Sequence, residues 1–173
     1  MPLTYESIAT STLGSAATNI TFSSIPATYT DLKLILNLRS TGAYSGNTGL
    51  FYFNGDNTGS NYNESWLKGN GTAASANRSF SNPYFSNTLD CPAASSTAGQ
   101  YSLVIIDILG YRGSTLKTVL SQTSNEKNGS GTTLSAIHLW NNTAAITSVS
   151  IGMGAGEQLA IGTTATLYGI LRA

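Results

Sequence analysis

Period-two alternation of apolar and polar side chains recurs along this chain, and no long stretch shows the 3.6-residue period of a helix. In Asp31–Ser40, Leu32, Leu34, Leu36 and Leu38 fall on one face, while Lys33, Asn37 and Arg39 fall on the other; only Ile35 breaks the polar side. That pattern predicts a strand with one buried face. Ile20 and Phe22 begin a similar run before Pro26. Leu134, Ala136, His138 and Trp140 share a face further on, opposite Ile137 and Leu139. Val149, Ile151 and Met153 alternate with small residues, and Ala165, Leu167, Gly169 and Leu171 close the series. Tyr101–Leu109 is apolar at both parities except Ser102 and Asp107. It therefore predicts a central strand covered on both sides, in which Asp107 needs a cross-strand Lys or Arg or a backbone turn as partner.

Turn chemistry separates these runs. Asn54-Gly55-Asp56, Gly69-Asn70-Gly71, Asn128-Gly129-Ser130-Gly131 and Gly154-Ala155-Gly156 supply the positive φ angles that tight turns demand. The spacing predicts about eight to ten short strands. Residues 71–100, rich in Ser, Ala and Asn and holding Pro83 and Pro92, predict a loop-rich excursion. It should carry one or two edge strands and lie on the surface or at a subunit contact. The expected fold is all-β: one domain over residues 1–173, a two-sheet β-sandwich, jelly-roll-like.

Charge is scarce. The 173 residues hold eight acids, eight Lys or Arg and one histidine, for a formal net charge of zero. Charged residues are 9% of the chain, far below the roughly 25% of an average domain, so no broad field exists to hold a phosphate backbone or an anionic bilayer. Neither nucleic acid nor membrane is an expected partner. Solubility must come from hydroxyls and amides, or other subunits must cover much of the surface. The lone Cys91 cannot form an internal disulfide and reads as a loop or partly buried thiol. The amino end lacks the basic and apolar regions of a signal peptide.

No catalytic constellation, cofactor or metal is expected. His138 is the only candidate general base at neutral pH, and its neighbours in sequence offer neither a nucleophile nor an orienting acid. A packed, hydrogen-bonded histidine is the simpler reading. Phe53–Tyr62 (FNGDNTGSNY) is spaced like a calcium loop, with oxygens at Asn54, Asp56 and Thr58. The twelfth position holds Ser65 instead of the bidentate Glu, so a hairpin turn competes with weak calcium binding at 54–61. Gly152–Gly156 lacks the spacing of a nucleotide fingerprint. Among the aromatics, Tyr44, Phe51, Tyr52, Tyr111 and Trp140 accompany Tyr62, Trp66, Tyr84 and Phe85. The last four lie in loop-like sequence and are the candidate interface or glycan contacts, whereas Phe51 and Trp140 read as core.

Several stretches, in order along most of the chain, resemble a family of small virion proteins of tailed bacteriophages, chiefly of aquatic and cyanobacterial hosts. They are MPLTYESIAT (Met1–Thr10), ITFSSIPATYTDL (Ile20–Leu32), FNGDNTGSNY (Phe53–Tyr62), GYRGSTLKT (Gly110–Thr118), LWNNTAAITSVSI (Leu139–Ile151) and GTTATLYGI (Gly162–Ile170). Residues 71–100 show no familiar pattern. The resemblance implies a non-enzymatic structural protein of the virion, synthesised in the host cytoplasm, and it supplies no catalytic or ligand residues. Two roles follow from it. One is a capsid decoration or cement protein, expected as a homotrimer clamping the major capsid protein. The other is a tail or baseplate component reading a host-surface glycan. The absence of heptads and of a linker favours decoration. A free carbohydrate-binding module or lytic enzyme is disfavoured by the missing paired carboxylates.

Overall fold

The computed structural model describes residues 4–43 and 49–171. Tyr44 and the first three residues of the amino end lie outside the described residues. The chain is all-β, a two-sheet sandwich of eleven antiparallel strands among those residues. They are β1 (Thr4–Thr12), β2 (Asn19–Phe22), β3 (Asp31–Leu38), β4 (Gly49–Phe53), β5 (Tyr62–Gly69), β6 (Ala74–Asn82), β7 (Ser102–Ile108), β8 (Lys117–Glu126), β9 (Gly131–Trp140), β10 (Val149–Met153) and β11 (Thr164–Leu171). The large sheet runs β1-β11-β3-β7-β8-β9-β5-β6 and the small one β2-β10-β4. This eight-to-three division is more lopsided than the two equal sheets of a jelly roll.

The alternation places the core. Leu32, Leu34, Leu36 and Leu38 of β3 point inward with Val104, Ile106 and Ile108 of β7 and Leu167 of β11. From the small sheet they meet Ile20, Phe22, Phe51, Phe53, Val149 and Ile151. Phe53 lies edge-on to Phe51 at 5.0 Å and to Trp140 at 5.4 Å between ring centroids. Such pairs add about 1 kcal/mol each beyond the area they bury. Ile35, the misfit of β3, points outward and is paired across the strands with Ile105.

Strand β7 is central, but only one of its faces is covered. Leu103 is 47% exposed, and Ile105 and Asp107 are half-buried, so the expectation of cover on both sides is corrected. Its outward apolar residues stand on a sheet face over which no segment of the described chain packs. Asp107 has the cross-strand partner its position demanded: Lys33, directly opposite, donates to Oδ1 at 2.7 Å.

The small sheet is too narrow to cover its partner, and the remainder is covered by irregular chain. Residues 83–93 cross the inner face of β5, β9 and β8 as a strap. Phe85 exchanges two backbone hydrogen bonds with Phe51 of β4, at 2.9 and 3.1 Å. Leu89, Cys91 and Ala93 are buried with it. Gly49 lies so close beneath Leu89 that a Cβ there would stand 2.2 Å from the leucine's own Cβ. The excursion expected over 71–100 is thus half correct. It carries one edge strand, β6, and residues 94–100 lie at the surface, but the stretch 85–93 between them is largely core.

Candidate functional site

The strap explains an oddity of β8. Its burial alternates perfectly, yet the inward residues are Lys117, Val119, Ser121, Thr123 and Asn125. β5 does likewise with Tyr62, Glu64 and Lys68, Trp66 remaining half-exposed between them. These polar faces meet the strap's own polar groups. Thr123 Oγ1 donates to the Thr88 carbonyl at 2.8 Å. Asp90 is buried and receives three donors: Lys68 Nζ at 2.8 Å, Thr132 Oγ1 at 2.8 Å and Asn125 Nδ2 at 2.9 Å. At the other end, Glu64 Oε1 accepts from Ser86 Oγ at 2.7 Å and Asn87 Nδ2 at 2.5 Å, and Oε2 accepts from the Asn87 amide at 3.2 Å.

Glu64 also faces His138, its cross-strand partner on β9, with Oε2 3.3 Å from Nδ1 but off the line of a hydrogen bond. The other imidazole nitrogen, Nε2, lies 2.8 Å from Ser121 Oγ on β8. Hydroxyl, imidazole and carboxylate therefore follow one another in the order of a hydrolase triad. The partners that sequence neighbours did not offer come from adjacent strands. Their access differs from that of an active site, however. Ser121, His138 and Glu64 are all buried, and the Phe85 ring sits 4.7 Å from the imidazole. No acyl group reaches Ser121 Oγ while the strap is in place. Burial pushes the Glu64 carboxyl up, but the adjacent His138 imidazole and the donors of Ser86 and Asn87 outweigh it and hold the group below its ordinary range. What the cluster does chemically is hold a strap to a sheet.

The candidate contact aromatics divide. Tyr62 and Phe85 are both 0% exposed, their rings edge-to-face at 4.8 Å, so neither is a surface contact. Tyr62 belongs to an inward strand position, and Phe85 fills the gap the small sheet leaves. Trp66 and Tyr84 are half-exposed. The calcium-like loop is a turn: Asn54 and Gly55 take positive φ angles of 54° and 66°. Asp56 accepts from Thr58 N at 2.9 Å, Asn61 Nδ2 at 2.8 Å and Trp140 Nε1 at 2.7 Å. Asn54 Oδ1 accepts from the amides of Thr147 and Ser148. Oxygens already facing N–H donors are poorly placed for a cation, and no cluster of metal-ligating side chains occurs among the described residues. Cys91 is a buried thiol, pushed up to about 12 by burial and by the nearby Asp90 and Glu157.

The accessible candidate is the outer face of the large sheet. Leu67, Leu103, Leu120 and Ile137 project from it at 42–65% exposure, among Thr118, Gln122, Ser124, Thr133 and Ser135. Across β3, β7, β8, β9 and β5 its charges are the mutually neutralising Lys33–Asp107 pair and Glu126 at one end. Strands spaced at about 4.8 Å and rising about 3.4 Å per residue make this face roughly 700 Å². That approaches the roughly 800 Å² per partner of a stable interface. Sequence reasoning missed it because its apolar members are scattered singly among Ser, Thr and Gln and come together only through the register of β5, β7, β8 and β9. Compared with known proteins, the chain matches no family model and no curated protein sequence.

Proposed function

We propose that the protein is a non-enzymatic virion structural component, a decoration or cement protein that stabilises a phage capsid lattice as a homotrimer. The observation that carries this reading is the outer sheet face: broad, almost free of net charge and studded with exposed aliphatics, in a chain otherwise short of charge. Surfaces of this kind lose little on desolvation and suit permanent burial between subunits. The sealed Ser121–His138–Glu64 cluster supports a structural role over turnover. The resemblance of six stretches to phage virion proteins supplies the particle. The tail reading loses Tyr62 and Phe85, two of its four glycan contacts, to the core.

Copy number in purified particles tests this, by quantitative peptide mass spectrometry against the major capsid protein. A stoichiometry comparable to that of the capsid protein is expected. A handful of copies per particle moves the protein to the tail, and absence from particles ends the virion reading.

A further inference from the structure

Strand β6 is an open edge of the large sheet, exposed along most of its nine residues, with no proline and a single charge. An open edge offers unpaired backbone groups to any extended chain, and proteins normally guard it with charges and bulges. Here the guard is selective. Arg78 stands at the midpoint of Ala74–Asn82, so full-length antiparallel pairing of two β6 strands sets Arg78 against its own copy. Like charges directly opposite are destabilising, whereas an acid in that position is favourable. Lys33, Arg39, Lys68, Arg112 and Lys117 each donate to an acid or a backbone carbonyl. The Arg78 guanidinium has no hydrogen bond or ion pair among the described residues.

The bulge serves the same end. Tyr62 pairs with Asn82 and Glu64 with Ser79, which leaves Phe80 and Ser81 together opposite Asn63. Ser81 takes a φ of 59°, and its amide donates to Asn63 Oδ1 at 3.2 Å. A bulge of this kind re-aims a side chain, and Phe80, 66% exposed, lines a groove of about 500 Å³ on the outer face. Arg78, Asn63, Ser65, Ile137 and Leu139 line it with Phe80. The groove's one outward charge is positive, because Glu64 is turned inward to His138 and the strap.

We propose that β6 and this groove dock an extended acidic segment of a partner protein, added to the sheet as a ninth strand. Its Asp or Glu lies opposite Arg78, and apolar side chains two residues to either side lie beside Ala76 and Phe80. Backbone hydrogen bonds supply affinity and the alternate side chains supply specificity. This names a partner chemistry for the assembly role proposed above and rests on it.

The probe is the peptide acetyl-Thr-Leu-Thr-Glu-Thr-Val-Thr-amide, with a control carrying Lys in place of Glu, titrated into the whole protein. Amide NMR signals of β6 should shift and gain exchange protection with the Glu peptide, which should bind about fivefold more tightly than the Lys peptide. Arg78→Glu should reverse that preference while leaving the circular dichroism spectrum unchanged. Equal binding of the two peptides, shifts centred away from β6, or no saturable binding overturns the proposal. Arg78→Glu protein that enters particles at normal copy number, with no peptide binding by wild type, sinks the docking site alone. Peptide binding by a protein absent from particles sinks the assembly reading alone.

Discussion

At the scale of single residues, the most telling group is Asp56. Its carboxylate gathers the 53–62 turn and the Trp140 indole into one set of hydrogen bonds, closing a loop over the aromatic core. Burial raises its pKa, but the hydrogen bonds from Asn61, Thr58 and Trp140 prevail and hold it at about 2, from an ordinary 3.8. A depressed folded-state pKa stabilises above the unfolded value and ceases to do so as pH falls through the folded one. The contribution is therefore full above about pH 4 and gone near pH 2. Asp56→Asn should cost about 1–2 kcal/mol at neutral pH. It should also flatten the fall in unfolding free energy between pH 4 and pH 2, measured by urea titration at each pH. An undiminished acid slope in the mutant assigns that slope to other carboxylates. Lys117 shows the opposite sign: buried, with its ammonium donating to the carbonyls of Gly113 and Thr143, it has a pKa lowered by burial.

Secondary-structure elements show which parts of the sequence could be read. β3 and β7 were legible because their inward residues are apolar and face the apolar small sheet, and β9 because Leu134, Ala136 and Trp140 alternate along its inner face. β5 and β8 were not, since Glu64, Lys68, Ser121, Thr123 and Asn125 face a strap whose groups are polar. Hydrophobic periodicity records the chemistry of the opposing layer, not the strand itself. The triad-like cluster was illegible for a related reason: its members meet only through strand register, which no local pattern encodes. Phe85 looked like loop sequence and is loop, yet it is core because the small sheet stops short. The strap's attachment then has an acid limit. The Glu64 pKa is held below its ordinary 4.5, so its anchoring is complete above that pH and lost as pH falls through the lower, folded value. Hydrogen exchange across residues 84–90 should accelerate there before the central strands open. Glu64→Gln should lose about 1–3 kcal/mol and abolish that early step. His138→Ala should destabilise by a similar amount through lost packing, without affecting particle incorporation of the folded fraction. Loss of function in a normally folded His138→Ala protein would return the cluster to catalysis. Strap exchange that stays locked to the core at every pH would remove the acid limit.

Whole-molecule behaviour depends on a broad surface that the described residues leave uncovered. The sandwich gives eight strands to one sheet and three to the other, and the inner face of the wide sheet is completed by the strap. Its outer face has no such cover among the described residues. Leu120 and Ile137 are directly opposed on β8 and β9, the latter 60% exposed, near the middle of that face. In a free monomer they contribute little to stability, because exposed positions away from special features change it by no more than about 0.5 kcal/mol. In an assembled interface they would be central, where truncation or charge insertion costs most. The double substitution Leu120→Lys and Ile137→Lys should therefore leave thermal unfolding of the monomer unchanged. It should abolish the proposed trimer, with light scattering at micromolar concentration as the readout, together with the proposed incorporation into particles. Two lysines desolvated together at the centre of an uncharged interface cannot be accommodated without partners. Lysines placed instead at Thr133 and Ser135, toward the 127–130 turn of the β8–β9 hairpin, should be tolerated better. If the central double mutant assembles as well as wild type, the outer face is solvent in the particle, and the edge strands β1 and β6 become the remaining route by which this sheet meets its neighbours.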